Sequence, residues 1–138
     1  MTKIRPEPCS SCPYRRDVPS GVWSAEEYDK LRLYDAPTAG QPLAAFSCHA
    51  SPEAYCCGWA VVHMSRGPEP GHPFDLLALR IGGSMGLWDG VMPTPKVELF
   101  TSGNEAADHG QRDVDDPSPE ATEMAMKLLA KYDRLGTS

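Results

Sequence analysis

Long apolar runs are missing from this chain. No stretch approaches the roughly 18–20 residues that a bilayer-spanning helix needs. The opening Met1-Thr2-Lys3-Ile4-Arg5-Pro6 has none of the apolar character of an export signal. A soluble, cytoplasmic protein without a membrane partner is the expectation. A basic excess is missing as well: 13 Lys and Arg face 19 Asp and Glu, a formal net charge of −6. That balance argues against nucleic acid as a partner held by charge alone. There is no Ser/His/Asp order, no paired-carboxylate motif and no H-E-x-x-H, while His63, His72 and His109 are scattered. Gly82-Gly83-Ser84-Met85-Gly86 lacks the lysine of a phosphate loop. These absences point to a protein that is not an enzyme. Cysteine is absent after Cys57.

What is present is concentrated before that point. Cys9, Cys12, Cys48, Cys56 and Cys57 all fall in the first 57 of 138 residues. An odd number of cysteines without an export signal disfavours a disulfide framework and favours metal binding or redox chemistry. Cys9-Ser10-Ser11-Cys12 is a C-x-x-C turn, a spacing that lets two thiolates reach one ion. Cys48-His49 and Cys56-Cys57 form the second group. Four thiolates would complete a tetrahedral zinc site or hold a [4Fe-4S] cluster. Adjacent side chains diverge, so only one of Cys56 and Cys57 binds easily, and His49 either replaces a cysteine or supports the site from behind.

The 12 glycines and 14 prolines predict a loop-rich fold with a modest core. Residues 1–22 read as irregular, because Pro6, Pro8, Pro13 and Pro19 forbid a regular helix. Ser24 and Glu27 form a capping box for a helix to about Tyr34 or Asp35, with Tyr28 and Leu31 inward. Ala36 to Pro42 is a breaker stretch. Ser51 and Pro52 predict a second helix that runs to Ser65 and stops at Gly67. Residues 67–73 read as a turn-rich link. Phe74 to Ile81 reads as a short buried helix, and 82–96 as a long loop. Met85, Leu87, Trp88 and Met92 in that loop either cap the core or form an apolar docking surface. Ser102 opens a short helix to about His109, closed by Gly110. Ser118 opens the clearest helix, with Ala121, Met124, Ala125, Leu128, Tyr132 and Leu135 as its apolar stripe and Gly136 as its stop. Eight acidic residues and one arginine lie between Glu98 and Glu123, a solvated face or a surface for a basic partner.

Three motifs in order, Cys9-Ser10-Ser11-Cys12-Pro13-Tyr14-Arg15-Arg16-Asp17, Phe46-Ser47-Cys48-His49 and Cys56-Cys57-Gly58-Trp59, resemble an uncharacterised domain-of-unknown-function family of actinobacteria and their phages. Its pattern is C-x-x-C-P-[WY]-R, F-x-C-H and C-x-G-W, and the likeness covers roughly residues 6 to 66, more weakly to Gly110. The resemblance implies Cys9, Cys12, Cys48 and Cys56 as the ligand set, with Cys57 on a variable position. It also implies an actinobacterial or phage origin, with the host cytoplasm as location in the latter case. The four cysteines and the Gly-Trp pair are similar to those of WhiB-like iron–sulfur regulators too, but the C-x-x-C-x5-C spacing and the basic tail of those proteins are absent.

The resulting expectation is a mainly α, small, irregular single domain of about four to five short helices organised around a four-cysteine metal site. Residues 1–110 would form the cysteine-motif domain, 111–117 a polar linker and 118–138 a C-terminal amphipathic helix packed on it. Zinc is the expected cofactor, with a [4Fe-4S] cluster as the alternative. The expected function is a non-catalytic protein-interaction or regulatory factor, its partner a protein. Arg15, Arg16, Trp88 and Met92 are the candidate interaction surface, although Arg15 and Arg16 also suit a solvated loop that balances thiolate charge. The rival is a thiol–disulfide oxidoreductase that uses Cys9 and Cys12.

Overall fold

A computed structural model describes residues 1–64 and 76–136. Within them the chain forms five α-helices: α1 (Ala25–Leu33), α2 (Cys57–Met64), α3 (Leu77–Ser84), α4 (Gly103–Gln111) and α5 (Pro119–Gly136). One 3-10 turn, Thr38–Gly40, sits in the breaker stretch after α1. Extended structure among the described residues is limited to isolated bridges: Thr2 with Trp88, Ile4 and Ser47 with Tyr55, and Arg15 with Leu99. The molecule is a small, mainly helical single domain.

Helices α1, α4 and α5 start where side-chain oxygens offer to cap them. Ser24 accepts from Glu27 N at 3.4 Å, Ser102 from Glu105 N at 3.0 Å and Ser118 from Ala121 N at 3.1 Å. Each bond satisfies one of the amide donors that a helix start leaves open. Tyr28 and Leu31 of α1 are buried, as the spacing predicts. Helix α4 lies against α1, and Gly110, expected to close it, instead sits inside the helix beneath the Tyr28 ring. Asp35, just after α1, clamps the pair: its carboxylate accepts from Gly103 N at 2.9 Å and Asn104 N at 2.7 Å. Acceptors at this end also complement the positive helix terminus.

Two expected elements are displaced. Helix α2 begins at Cys57, not at Ser51 or Pro52. The intervening backbone is claimed by distant partners: Tyr55 N donates to Lys3 O at 2.9 Å, Arg5 N to Tyr55 O at 3.0 Å, and Cys56 N to Phe46 O at 2.8 Å. A chain already bonded on both sides cannot close helical turns with the same groups. Helix α3 starts at Leu77 and absorbs Gly82 and Gly83, which the glycine count assigns to loop. Its stop is Gly86, at φ +70°, a conformation favourable for glycine. Leu87 N returns to Gly82 O at 2.8 Å and Gly86 N to Gly83 O at 3.2 Å, a Schellman closure. The expected Gly67 stop, the 67–73 link, and Phe74 and Asp75 lie outside the described residues.

The main apolar cluster takes in all five cysteines together with Tyr14, Tyr28, Leu31, Trp59 and Trp88. A second, smaller cluster joins Val18 and Val22 to Ala121 of α5, with Met124 and Leu128 packed alongside. The side chains of Tyr132 and Leu135 lie outside the described residues.

Candidate functional site

Three short segments bring the cysteines together. In the first, Cys12 N donates to Cys9 O at 3.0 Å and Arg15 N to Cys12 O at 3.0 Å. These successive turns hold Cys9 and Cys12 inward, 5% and 0% exposed. In the second, Cys48 N is held by Ala54 O at 2.9 Å. The third is the start of α2. Cys56 occupies the capping position, its carbonyl accepting from Ala60 N at 3.2 Å and its Sγ from Trp59 N at 3.4 Å.

One pair of sulfurs meets across segments: Cys12 Sγ and Cys56 Sγ stand 3.9 Å apart. Cys9 Sγ lies 3.7 Å from Ser11 Oγ. Backbone amides add to this: Tyr14 and Gly58 donate to Cys12, Ala50 and Ser51 to Cys48. Arg5 Nη1 lies 3.9 Å from Cys48 Sγ and 3.1 Å from Ser51 Oγ. Gly58 is what allows the segments to meet. A Cβ there would lie 2.6 Å from Tyr14 Cβ and 2.8 Å from Cys12 Sγ.

This arrangement separates the thiols electrostatically. The interaction with Cys9, with the amides and Arg5, outweighs burial and brings Cys48 down to about 5. Cys9, on the other side of that interaction and itself buried, is raised. In the Cys12–Cys56 pair the bond from Cys56 and the amides of Tyr14 and Gly58 lower Cys12, whereas Cys56 is pushed well up by that same bond and by burial. That pair therefore gives up a first proton far more readily than a second. Cys57 points elsewhere, toward Pro6 O at 3.8 Å, and burial pushes it up to about 12. Among the described residues, no three His, Cys, Asp or Glu side chains are arranged as they stand to hold one metal ion.

The other candidate residues are placed as follows. His49 turns toward α1, with Nε2 3.3 Å from Glu27 Oε2 and its ring 4.2 Å from that of Trp23. Arg15 pairs with Asp17 at 2.7 Å and also reaches the carbonyls of Pro8 and Cys9, tying the first cysteine turn. Arg16 bonds Leu99 O and Glu105 and lies 4.9 Å above the Phe100 ring. Both arginines are thus engaged by their own chain. Trp88 is corrected from the docking surface to the core: it is 3% exposed, and its Nε1 donates to Leu79 O at 2.9 Å. The lack of side chains at Gly82 and Gly83 lets that ring lie against α3. Met92 packs partly buried on the main cluster.

Sequence reading missed three participants. Arg5 was legible only as one of several basic residues near the first motif. Gly58 carries a steric reason that no spacing reveals. His63, fully buried, shares a hydrogen bond with Tyr14 OH, 3.3 Å from Nε2, and faces Asp35 at 3.4 Å through Nδ1. Its place on the side of α2 shared by Cys56 and Trp59 was the one available signal. The chain Tyr14–His63–Asp35 ties the first cysteine turn to the α1–α4 clamp.

Comparison with known proteins adds one match. The model of a family of unknown function, DUF6283, matches residues 4–131, so it extends past Gly110 through most of α5. No curated protein and no solved structure matches. No helix among the described residues is long and apolar enough to cross a membrane.

Proposed function

The chain belongs to the DUF6283 family of unknown function, and for it we propose a small metal-binding protein in which Cys9, Cys12, Cys48 and Cys56 take up one zinc ion. The observation that carries this reading is the meeting of sulfurs from separate segments: Cys12 Sγ and Cys56 Sγ stand 3.9 Å apart, and Trp59 N donates to Cys56 Sγ at 3.4 Å. Amide donors around thiolates orient them and disperse their charge, the role such outer partners have in metal–thiolate centres. The 3.9 Å between Cys12 and Cys56 sulfurs supports a single ion. Zinc–sulfur bonds of about 2.3 Å at tetrahedral angles set sulfurs about 3.8 Å apart. A [4Fe-4S] cluster puts each cysteine on a different iron and so holds the sulfurs much wider. A divalent cation would displace the protons that Cys9 and Cys56 retain, which makes uptake dependent on pH.

Four thiolates close the coordination shell and leave no position for substrate, so the role is structural. Cys9 Sγ contacts Ser11 Oγ and Cys12 Sγ contacts Cys56, not one another, which weighs against exchange chemistry by the C-x-x-C pair. We read the protein as a non-catalytic factor that binds a protein partner. The exposed Ile81, Met85, Leu87 and Val91 offer that partner an apolar surface in place of Trp88. Elemental analysis with an absorption spectrum tests the centre. About one zinc per chain and a colourless protein are expected. A brown protein after anaerobic purification would replace zinc by a cluster, and neither metal would overturn the reading.

A further inference from the structure

Helix α5 carries two apolar faces, and the domain covers one of them. Ala121, fully buried, packs on Val18 and Val22 with Met124 and Leu128 alongside. Lys131 Nζ donates to Ala50 O at 2.9 Å, which pins the helix to the domain. Successive helical residues turn by about 100°, so Pro119, Thr122, Met126, Leu129 and Ala130 fall on the side away from Ala121. A surface helix ordinarily gives that side to charged and polar groups. Here Met126 and Leu129 stand there, 64% and 63% exposed. A surface groove of about 650 Å³ runs along the same side, walled by Pro117, Pro119, Thr122, Met126 and Ala130. Glu123 and Lys127 also line it, 3.3 Å apart and both exposed.

Charge on α5 is divided along its length. Glu120 and Glu123 lie in the first half, Lys127 and Lys131 in the second. That division selects an occupant for the groove. Two copies of the helix laid antiparallel bring each acidic half against a basic half, whereas a parallel pair would set like charges against each other. We infer that the outer face of α5 is a self-association surface, on which a second copy of this chain docks antiparallel through its own α5. The sequence fits the symmetry such a pair requires, in which every contact occurs twice. A two-fold axis near residues 125 and 126 sets Glu123 against Lys127 of the second copy, and Lys127 against Glu123 of the second copy. The same axis lays Leu129 over Thr122 of the second copy and brings the two Met126 side chains together. A contact made by one helix from each copy is at the small end of specific interfaces, so the dimer is reversible and dependent on concentration. No cysteine takes part, so association and metal content are separate readouts.

The test is sedimentation velocity of the full chain from micromolar to millimolar concentration, with helix content checked by circular dichroism. A concentration-dependent shift from monomer to dimer is expected. Glu123→Lys leaves only cations beside the groove, and Lys127→Glu leaves only anions. Each variant alone should self-associate about tenfold more weakly or worse, and Met126→Asp should remain monomeric. Mixing Glu123→Lys with Lys127→Glu in equal amounts should restore the dimer, because each cationic border then meets an acidic one. A wild-type chain that stays monomeric at millimolar concentration would overturn the inference. So would a dimer that both charge reversals leave intact, or a mixture that does not recover. A dimer that survives Met126→Asp and is lost in Leu87→Asp would move self-association to the surface beside α3 and equally overturn it.

Discussion

Helix α5 and the cysteine region reach order by opposite routes. In α5 the instructions are neighbours along the chain: Ser118 caps the start, Pro119 opens it, and Ala121, Met124 and Leu128 recur at helical spacing to pack on Val18 and Val22. In the cysteine region the groups that matter are far apart in sequence. Cys12 meets Cys56, Arg5 meets Cys48, Tyr55 is held by Lys3 and Arg5, and Gly58 fits beneath Tyr14. Local order of the first kind survives changes elsewhere in the chain. Order of the second kind depends on every segment arriving together, and a shared ion is the most economical way to enforce that.

The sharpest way to break the comparison, on the proposed zinc reading, is to remove that ion or one of its proposed ligands. Chelation, or Cys12→Ala, should abolish the near-ultraviolet circular dichroism of the packed aromatic residues. On that reading the expected loss is on the order of 10 kcal/mol of folding free energy in the cysteine region. Unchanged spectra after complete zinc removal would show that this region holds itself. Next in size is Gly58→Ala, which forces a Cβ into Tyr14 and against the Cys12 sulfur without replacing a cysteine. A loss of about 3 kcal/mol is expected in urea unfolding, with weaker zinc retention. Ser118→Ala should cost about 1 kcal/mol, confined to α5, and leave zinc content unaltered. A fall in zinc content there would mean that the two regions are coupled.

The smallest effect belongs to the exposed pair Arg15–Asp17. The bond from Arg15 holds the Asp17 carboxyl below its ordinary value. A carboxyl lowered in the folded state stabilises above its unfolded value and loses that contribution as pH falls below it. Asp17 is 59% exposed, so solvent screens the pair. Asp17→Asn should therefore cost under about 1 kcal/mol at neutral pH and less in high salt, and the difference should fade as pH falls through the lowered Asp17 value, as measured by urea midpoints.

The capping serines show what could be read directly. Ser24, Ser102 and Ser118 each open a helix where the sequence places one, because an N-cap is settled within four residues. Ser51 has the same signature and fails, because the backbone after it is bonded to residues 3, 5 and 46. Trp88 and the Gly82–Gly83 pair fail together. Glycines in a row look like loop until a tryptophan ring lies against them in a helix. The meeting of Cys12 with Cys56 was not legible either, since C-x-x-C spacing pairs Cys9 with Cys12.

Residue order alone was enough to establish the helical class, the clustering of thiols before residue 58, the acidic balance of charge, and three helix starts. These follow from composition and from contacts a few residues apart. Only the folded chain decided which sulfur faces which, that Trp88 is inside, and where α2 begins. Those outcomes depend on steric fit and hydrogen bonds between groups tens of residues apart, and a linear pattern carries no record of such distances.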